Sequence, residues 1–359
     1  METDEELGMS RKIVWRQKIN LINTVLTIAI LFCNFILLNA QPVNNELPGN
    51  ENHILTIYVL KSASPLNWET PETLYKTYRR SVLTNFMKKE RTLKGHFFIS
   101  LYSPLIDSPI YAGVSSADKK EEKKCIFLDK IGLGVLGVCM KGCIQGKDEL
   151  LKKIEFHAKK NDIAFIKFKI SKTAAQHVID FYKIYTTECI ANFSPSDFYG
   201  GAFYPLYENE GAGCSAFALA VLELAGVNDI ETVEWYKKLN IPMNLIGGEM
   251  NGNRKIKVRD IKKSHSWQNG EGIENVDFVP YLMCDPSTAY NWILEHRKNE
   301  NLEEHPGYIA ATESGIPGLY TDRSFIEIDN SNPIIIKRPD KNFFVEYHFS
   351  RFKTVIEPK

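Results

Sequence analysis

Two apolar patterns alternate along this chain and together predict an α+β fold. Short period-two runs such as GHFFISLYS (Gly95–Ser103) mark half-buried strands. Runs with apolar residues three and four apart mark helices, most clearly Cys214, Phe217, Ala218, Val221, Leu222 and Ala225. No internal repeat and no low-complexity linker separates them. Residues 41–359 are therefore expected to form a single elaborated domain, an antiparallel sheet packed against the helix that bears Cys214.

The elements follow in order. Pro42–His53, rich in Asn and Glu, reads as a loose lead-in, and Ile54–Leu60 as a strand. Pro71–Lys89 has helical spacing through Leu74, Tyr75, Tyr78, Val82 and Phe86, with Thr70 as its cap. In GHFFISLYS, His96, Phe98, Ser100 and Tyr102 share one face, and Phe97, Ile99 and Leu101 the other. Pro109–Ser115 is expected to be the neighbouring strand, Asp118–Lys124 a charged loop, and Gly132–Met140 and Ile163–Ile170 further strands. Thr173–Tyr185 has helical spacing, and an aromatic loop through Phe198, Tyr199, Gly200 and Gly201 leads to the Cys214 helix. Beyond it, Ile230–Leu239 reads as a short helix and Asn251–Gly272 as a polar surface excursion. Asp285-Pro286 is a strong helix start for Ser287–Lys298, with Ala289, Trp292 and Ile293 inward. Asn299–His305 reads as a solvated charge run, and Phe325–Ile336 and Phe343–Phe352 as terminal strands.

Residues 1–40 are set apart from the domain. Arg11, Lys12, Arg16 and Lys18 precede a mostly apolar Ile19–Leu38, and Leu38-Asn39-Ala40 approximates a cleavage site before Gln41. The segment reads as a signal peptide or, if retained, a membrane anchor, because about 20 such residues just span a bilayer. Either way the domain is expected to be exported: periplasmic, secreted or anchored outside the cytoplasm. The membrane is then a partner only through that segment.

Basic and acidic residues balance at 44 each, so net charge gives no reason to expect nucleic acid as a partner. Six cysteines follow residue 40, too sparse for a disulfide framework, and Cys139 and Cys143 have no second pair at zinc spacing. His157, His177, His265, His296, His305 and His348 are scattered, so no metal is expected. Gly132, Gly134 and Gly137 match a dinucleotide-binding spacing, but the following VCMKGCIQGK does not open an amphipathic helix. Gly142–Lys147 falls one residue short of a phosphate-binding loop. Neither HExxH nor GxSxG occurs, and no cofactor is expected.

The chemistry-bearing candidates are Cys214 and His96. A cysteine in the first helical turn meets the positive dipole end, which favours the thiolate, and N–H groups there can stabilise an oxyanion. His96, opening the GHFFISLYS strand, is the expected general base, which would make a Cys-His dyad for acyl transfer. The bland alternatives are a small buried hydrophobe at a helix start and an ordinary strand histidine. A Cys214–Cys189 disulfide is a third alternative. Tyr199 and Tyr207, in the aromatic stretch before Cys214, are the expected substrate-binding residues.

The Gly-His strand start followed by the loop-to-helix GAGCSAFALAVLELAG resembles the circularly permuted branch of the NlpC/P60 papain-like superfamily. Tyr199 and Asn209 loosely match that family's approach to its cysteine, and the resemblance covers roughly Leu93–Gly226. It implies a papain-like fold and a thiol hydrolase or acyltransferase acting on amide or ester bonds, with peptides, peptidoglycan or lipids as substrate classes. The family's third polar residue, which orients the imidazole, has no assigned counterpart. PIYAGVSS offers only Tyr111 and Ser115, while Glu155 and Asp162 lie farther on. The competing expectation is a noncatalytic envelope protein on the same scaffold that binds a ligand in the aromatic cleft.

Overall fold

The run GHFFISLYS forms a strand inside a sheet of eight, and its alternation organises the molecule. In the computed structural model, residues 52–88, 95–187, 193–228, 234–298 and 307–356 are described. The strands are β1 (His53–Leu60), β2 (His96–Tyr102), β3 (Ile110–Ser116), β4 (Met140–Gln145), β5 (Ile163–Ile170), β6 (Phe198–Tyr199), β7 (Tyr236–Pro242), β8 (Phe278–Cys284), β9 (Ile309–Glu313) and β10 (Ile316–Asp322). The helices are α1 (Pro71–Lys88), α2 (Lys119–Phe127), α3 (Lys147–Ala158), α4 (Lys172–Thr187), α5 (Cys214–Leu224), α6 (Val258–Lys262), α7 (Pro286–His296) and α8 (Phe343–Ile356).

The large sheet runs β6-β4-β3-β2-β1-β5-β10-β9. Its pairings are antiparallel except β10 with β5, so it is mixed rather than wholly antiparallel. One face carries Leu55, Ile57 and Val59 of β1, Phe97, Ile99 and Leu101 of β2, and Ala164, Ile166 and Phe168 of β5. It is covered by α4, α5 and α7, through residues such as Phe181, Phe217, Val221, Ala289 and Ile293. The other face carries Leu60, Phe98, Ile163 and Phe165 and packs on Leu150 of α3. Both faces are covered, which is why β2 is buried on each side from His96 to Leu101, although His96 and Ser100 make its second face partly polar. A separate cluster joins Trp68, Leu74 of α1, Ile241 of β7, Val279 and Met283 of β8, and Phe344 of α8.

Several elements depart from the sequence expectation. Asp118–Lys124 is not a loop: Asp118 accepts from Lys120 N at 2.8 Å and caps α2, with Glu121 and Glu122 in its first turn and Lys124 in its last, as the dipole favours. Gly132–Met140 is not a strand but a 3₁₀ turn at Leu133–Leu136 that leads into β4. Its glycine spacing has a packing origin. A Cβ on Gly132 would strike the Leu245 carbonyl and Ile256, and one on Gly137 would strike the Phe344 ring. Ile230–Leu239 does not continue as a helix, because Tyr236 onward pairs with β8. Residues 229–233 lie outside the described residues. Phe325–Ile336 is irregular, touching a strand-like partner only where Ile336 bridges Tyr207. Phe343–Phe352 belongs to helix α8, started by Asn342, whose Oδ1 accepts from Phe344 N at 3.1 Å. The segments α3, β8, β9 and β10 had no counterpart in the sequence reading. The β9–β10 turn is carried by Ser314 and Gly315, both at positive φ, as tight hairpins require.

Residues 1–49, Cys189 and Asn299–His305 lie outside the described residues, so the leader, the Cys189 pairing and the charge run fall there. Among the described residues no helix is long and apolar enough to cross a membrane.

The glycine at 211 holds the approach to α5. A Cβ there would run into the Phe198 carbonyl, to which Ala212 N donates at 3.1 Å. Gly211→Ala is expected to cost about 3 kcal/mol, as overpacking against backbone does. Gly146→Ala, where an added Cβ meets nothing within 4 Å, should stay near wild type. Urea unfolding of the two variants checks this; equal midpoints would show that the approach loop gives way.

Candidate functional site

Helix α5 begins at the wall of a cavity of about 950 Å³. Gly213, Cys214 and Ser215 line it from the helix start, Tyr199 and Tyr207 from the preceding aromatic stretch, and Tyr281 and Cys284 from β8. Trp68, Tyr75 and Tyr78 enclose it from the α1 side, and Arg338 and Asp340 from the segment before α8. Gly213 occupies the N-cap without a side chain of its own, so the positive end of α5 is turned toward this space.

Side-chain hydrogen bonds weld the walls together. Ser215 Oγ donates to the Cys284 carbonyl at 2.9 Å, joining the start of α5 to the end of β8. Trp68 Nε1 donates to Asp285 Oδ2 at 2.8 Å, and Asp285 Oδ1 accepts from Ser287 N at 2.8 Å as the cap of α7. Burial raises the Asp285 carboxyl, and these hydrogen bonds oppose the rise. Tyr281 OH donates to the Leu136 carbonyl at 2.9 Å.

Arg338 closes another part of the wall. Its Nε and Nη2 donate to the two oxygens of Glu210 at 2.6 and 2.8 Å, and Nη1 donates to Asp340 at 2.9 Å. Glu210 is 1% exposed and also accepts from Tyr204 N at 3.0 Å. The guanidinium lies 4.4 Å from the centre of the Tyr207 ring, a cation–π contact. Tyr199 and Tyr207 thus both line the cavity. Burial raises both phenols, and the charge of Cys214 adds to the rise at Tyr199.

The structure does not bring His96 to Cys214. His96 pairs across β1 with Leu60 and has the same parity as Phe98, so it faces α3. Helix α5 packs on the opposite face, over Phe97 and Ile99. On the strand's own period the imidazole thus leaves the face opposite the one on which the cysteine helix packs, which does not favour the expected dyad. His96 Nε2 donates to Gln145 Oε1 at 2.6 Å, and Gln145 Nε2 donates in turn to Glu149. Gln145 of β4 is the polar residue that orients the ring. Tyr111 and Ser115 do not fill that place, Glu155 pairs with Lys159, and Asp162 pairs with His157. His96 is lowered to about 3, chiefly by burial and then by the Lys153 charge, with the Gln145 hydrogen bond acting the other way. A ring so reluctant to hold a second proton is a weak base. The glycine before it serves the fold. Gly95 has φ +75°, and a Cβ there would meet the Leu60 carbonyl and Pro286.

The described cysteines are thiols rather than disulfides: Cys125, Cys139, Cys143, Cys214 and Cys284. Among the described residues no group of three or more His, Cys, Asp or Glu is placed to hold a metal ion. Nothing local in the sequence marks Trp68, Tyr281, Cys284 or Arg338 as cavity residues, and Tyr75 carries only its helical spacing. The usable signal for β8 was FVPYLMC, an apolar run directly before the Asp285-Pro286 helix start. No protein-family model, curated protein or solved structure matches the chain. The NlpC/P60 resemblance accordingly rests on its own residues.

Replacing His96 separates its role from that of Cys214. His96→Asn is expected to leave the rate of Cys214 alkylation by N-ethylmaleimide within twofold of wild type at pH 7.5. A tenfold loss would restore the dyad. The lowered folded-state value means that the unfolded chain binds the proton better. This contribution to stability is complete above about pH 6.5 and is lost as pH falls toward about 3. His96→Asn should lose that part of the acid dependence, measurable as a flatter urea midpoint between pH 6.5 and 4.

Proposed function

We propose that the chain binds a neutral, largely apolar small molecule in the cavity at the start of α5. The observation that carries this reading is the cavity itself, about 950 Å³, walled by Trp68 and a ring of tyrosines. That volume is at the upper end for small-molecule sites, which are apolar and oriented by a few polar groups. The charges in the wall do not select an ionic ligand. Arg338 is answered by Glu210 and Asp340, Asp285 is engaged by Trp68 and Ser287, and Lys238 and Glu122 are of opposite sign. The phenols of Tyr199 and Tyr207 line the cavity and can orient a ligand's few polar atoms. This is the ligand-binding alternative, without commitment to an envelope location.

A second reading keeps the papain-like fold and a thiol hydrolase or acyltransferase with Cys214 as nucleophile. Its support is the position of Cys214 in the first turn of α5, facing a space large enough for an acyl group. The base in that reading is a group other than His96. Export through the N-terminal segment is part of either proposal.

The neutral fluorophore N-phenyl-1-naphthylamine tests the first reading. One molecule should bind per chain with a blue-shifted emission, and Ala202→Trp, which puts an indole into the cavity wall, should weaken binding at least tenfold while the fold, checked by circular dichroism, persists. Equal binding by wild type and variant would overturn the reading. A p-nitrophenyl acyl ester decides the second: a stoichiometric nitrophenol burst with the acyl mass on Cys214 supports it. Absence of both removes it.

A further inference from the structure

We propose that Cys214 and Cys284 are a redox-modifiable pair in the cavity wall, in which a hydroperoxide oxidises Cys214 and Cys284 resolves it to an intramolecular disulfide. Of the described cysteines these two line the cavity, whereas Cys125, Cys139 and Cys143 do not. They come from two elements fixed against each other, because the residue after Cys214 hydrogen-bonds the carbonyl of Cys284 itself at 2.9 Å. The charge of Cys214 also reaches the Cys284 sulfur, adding to the effects of burial and of Asp285 that push the Cys284 thiol well up.

The two thiols have different roles. Cys214 is partly exposed at the positive end of an 11-residue helix, open to the cavity, and suits the first attack. Cys284 is 7% exposed and suits the second, where the electrophile is delivered by its neighbour. In the first step the Cys214 thiolate attacks the terminal peroxide oxygen. The S–O bond forms, the O–O bond breaks, and the alkoxide leaves and takes up the thiol's proton as an alcohol. In the second step the Cys284 sulfur attacks the Cys214 sulfenic sulfur. The S–S bond forms, the S–O bond breaks, and hydroxide leaves with the Cys284 proton as water. Two thiols are oxidised by two electrons and one hydroperoxide is reduced to alcohol and water. The bridge would tie the start of α5 to the end of β8 and take the thiol out of the cavity. The proposal does not depend on which ligand the cavity holds.

Full-length protein treated with tert-butyl hydroperoxide, quenched with iodoacetamide and digested without reductant, provides the test. The expected product is a linked peptide pair joining Cys214 and Cys284, two hydrogens lighter than the separate thiols. Cys284→Ser should stop at a dimedone-reactive sulfenic acid on Cys214, and Cys214→Ser should leave Cys284 alkylatable. Three results would overturn the proposal: a Cys214 sulfenic or sulfinic acid persisting in folded wild type, a Cys214 bridge to Cys189 or another cysteine, or oxidation confined to cysteines outside the cavity. Both variants retain Ser215, and their melting temperatures establish that a negative result is not unfolding.

Discussion

The alternation of side chains along β2 governs where chemistry can occur in this molecule. A strand sends successive side chains to opposite sides, and a sheet with helices on both sides turns that into a partition. Phe97, Ile99 and Leu101 seat α5, while Phe98 and His96 belong to the α3 side. Moving His96 next to the α5 thiol would need a one-residue slip of β2. Such a slip would also turn three fully apolar side chains away from the helix they seat. Burial of those residues outweighs any single polar contact, because each is worth about 1.5–3 kcal/mol.

The cavity arises where that partition ends. The first turn of α5 faces β8, α1 and the segment before α8, none of which belongs to the large sheet. Its walls are held by polar contacts between distant parts of the chain: Ser215 to Cys284, Trp68 to Asp285, and Glu210 to Arg338. Ser215, Trp68, Asp285, Glu210 and Arg338 are all hydrogen-bonded there, as low-dielectric surroundings demand. The space between them is left to the rings of Trp68 and the tyrosines, which present hydrocarbon inward and can still orient a hydroxyl.

Much of the scaffold was legible because its signals were local. β2, α5 and the Asp285-Pro286 start of α7 each carry their own period or cap, and all three appear. The same β2 alternation contained the fact that separates His96 from Cys214. His96 shares its face with Phe98 and not with the Phe97-Ile99-Leu101 set on which the most apolar helix must rest. What the sequence could not supply was long-range. FFVEYHFSRF fits both periods, and only the Asn342 cap together with the place of Phe344 in a separate core makes it helical. The glycines before His96 and Cys214 invite a catalytic reading, yet Gly95 answers to Pro286 and Leu60 and Gly211 to Phe198, none adjacent in the chain. A Cβ on Gly213, directly before Cys214, would meet only ordinary contacts.

The Glu210–Arg338 pair ties the order of assembly to the order of synthesis. Its two halves lie 128 positions apart, and the carboxylate is sealed from water. Until the arginine has been made, that carboxylate must stay hydrated or take up a proton, because an unanswered buried charge costs about 3–5 kcal/mol. The aromatic stretch from Tyr204 to Glu210 therefore cannot settle onto the core early. The sheet can pair while the cavity wall at Tyr204–Glu210 still stands open, and the segment around Arg338 acts as its keystone.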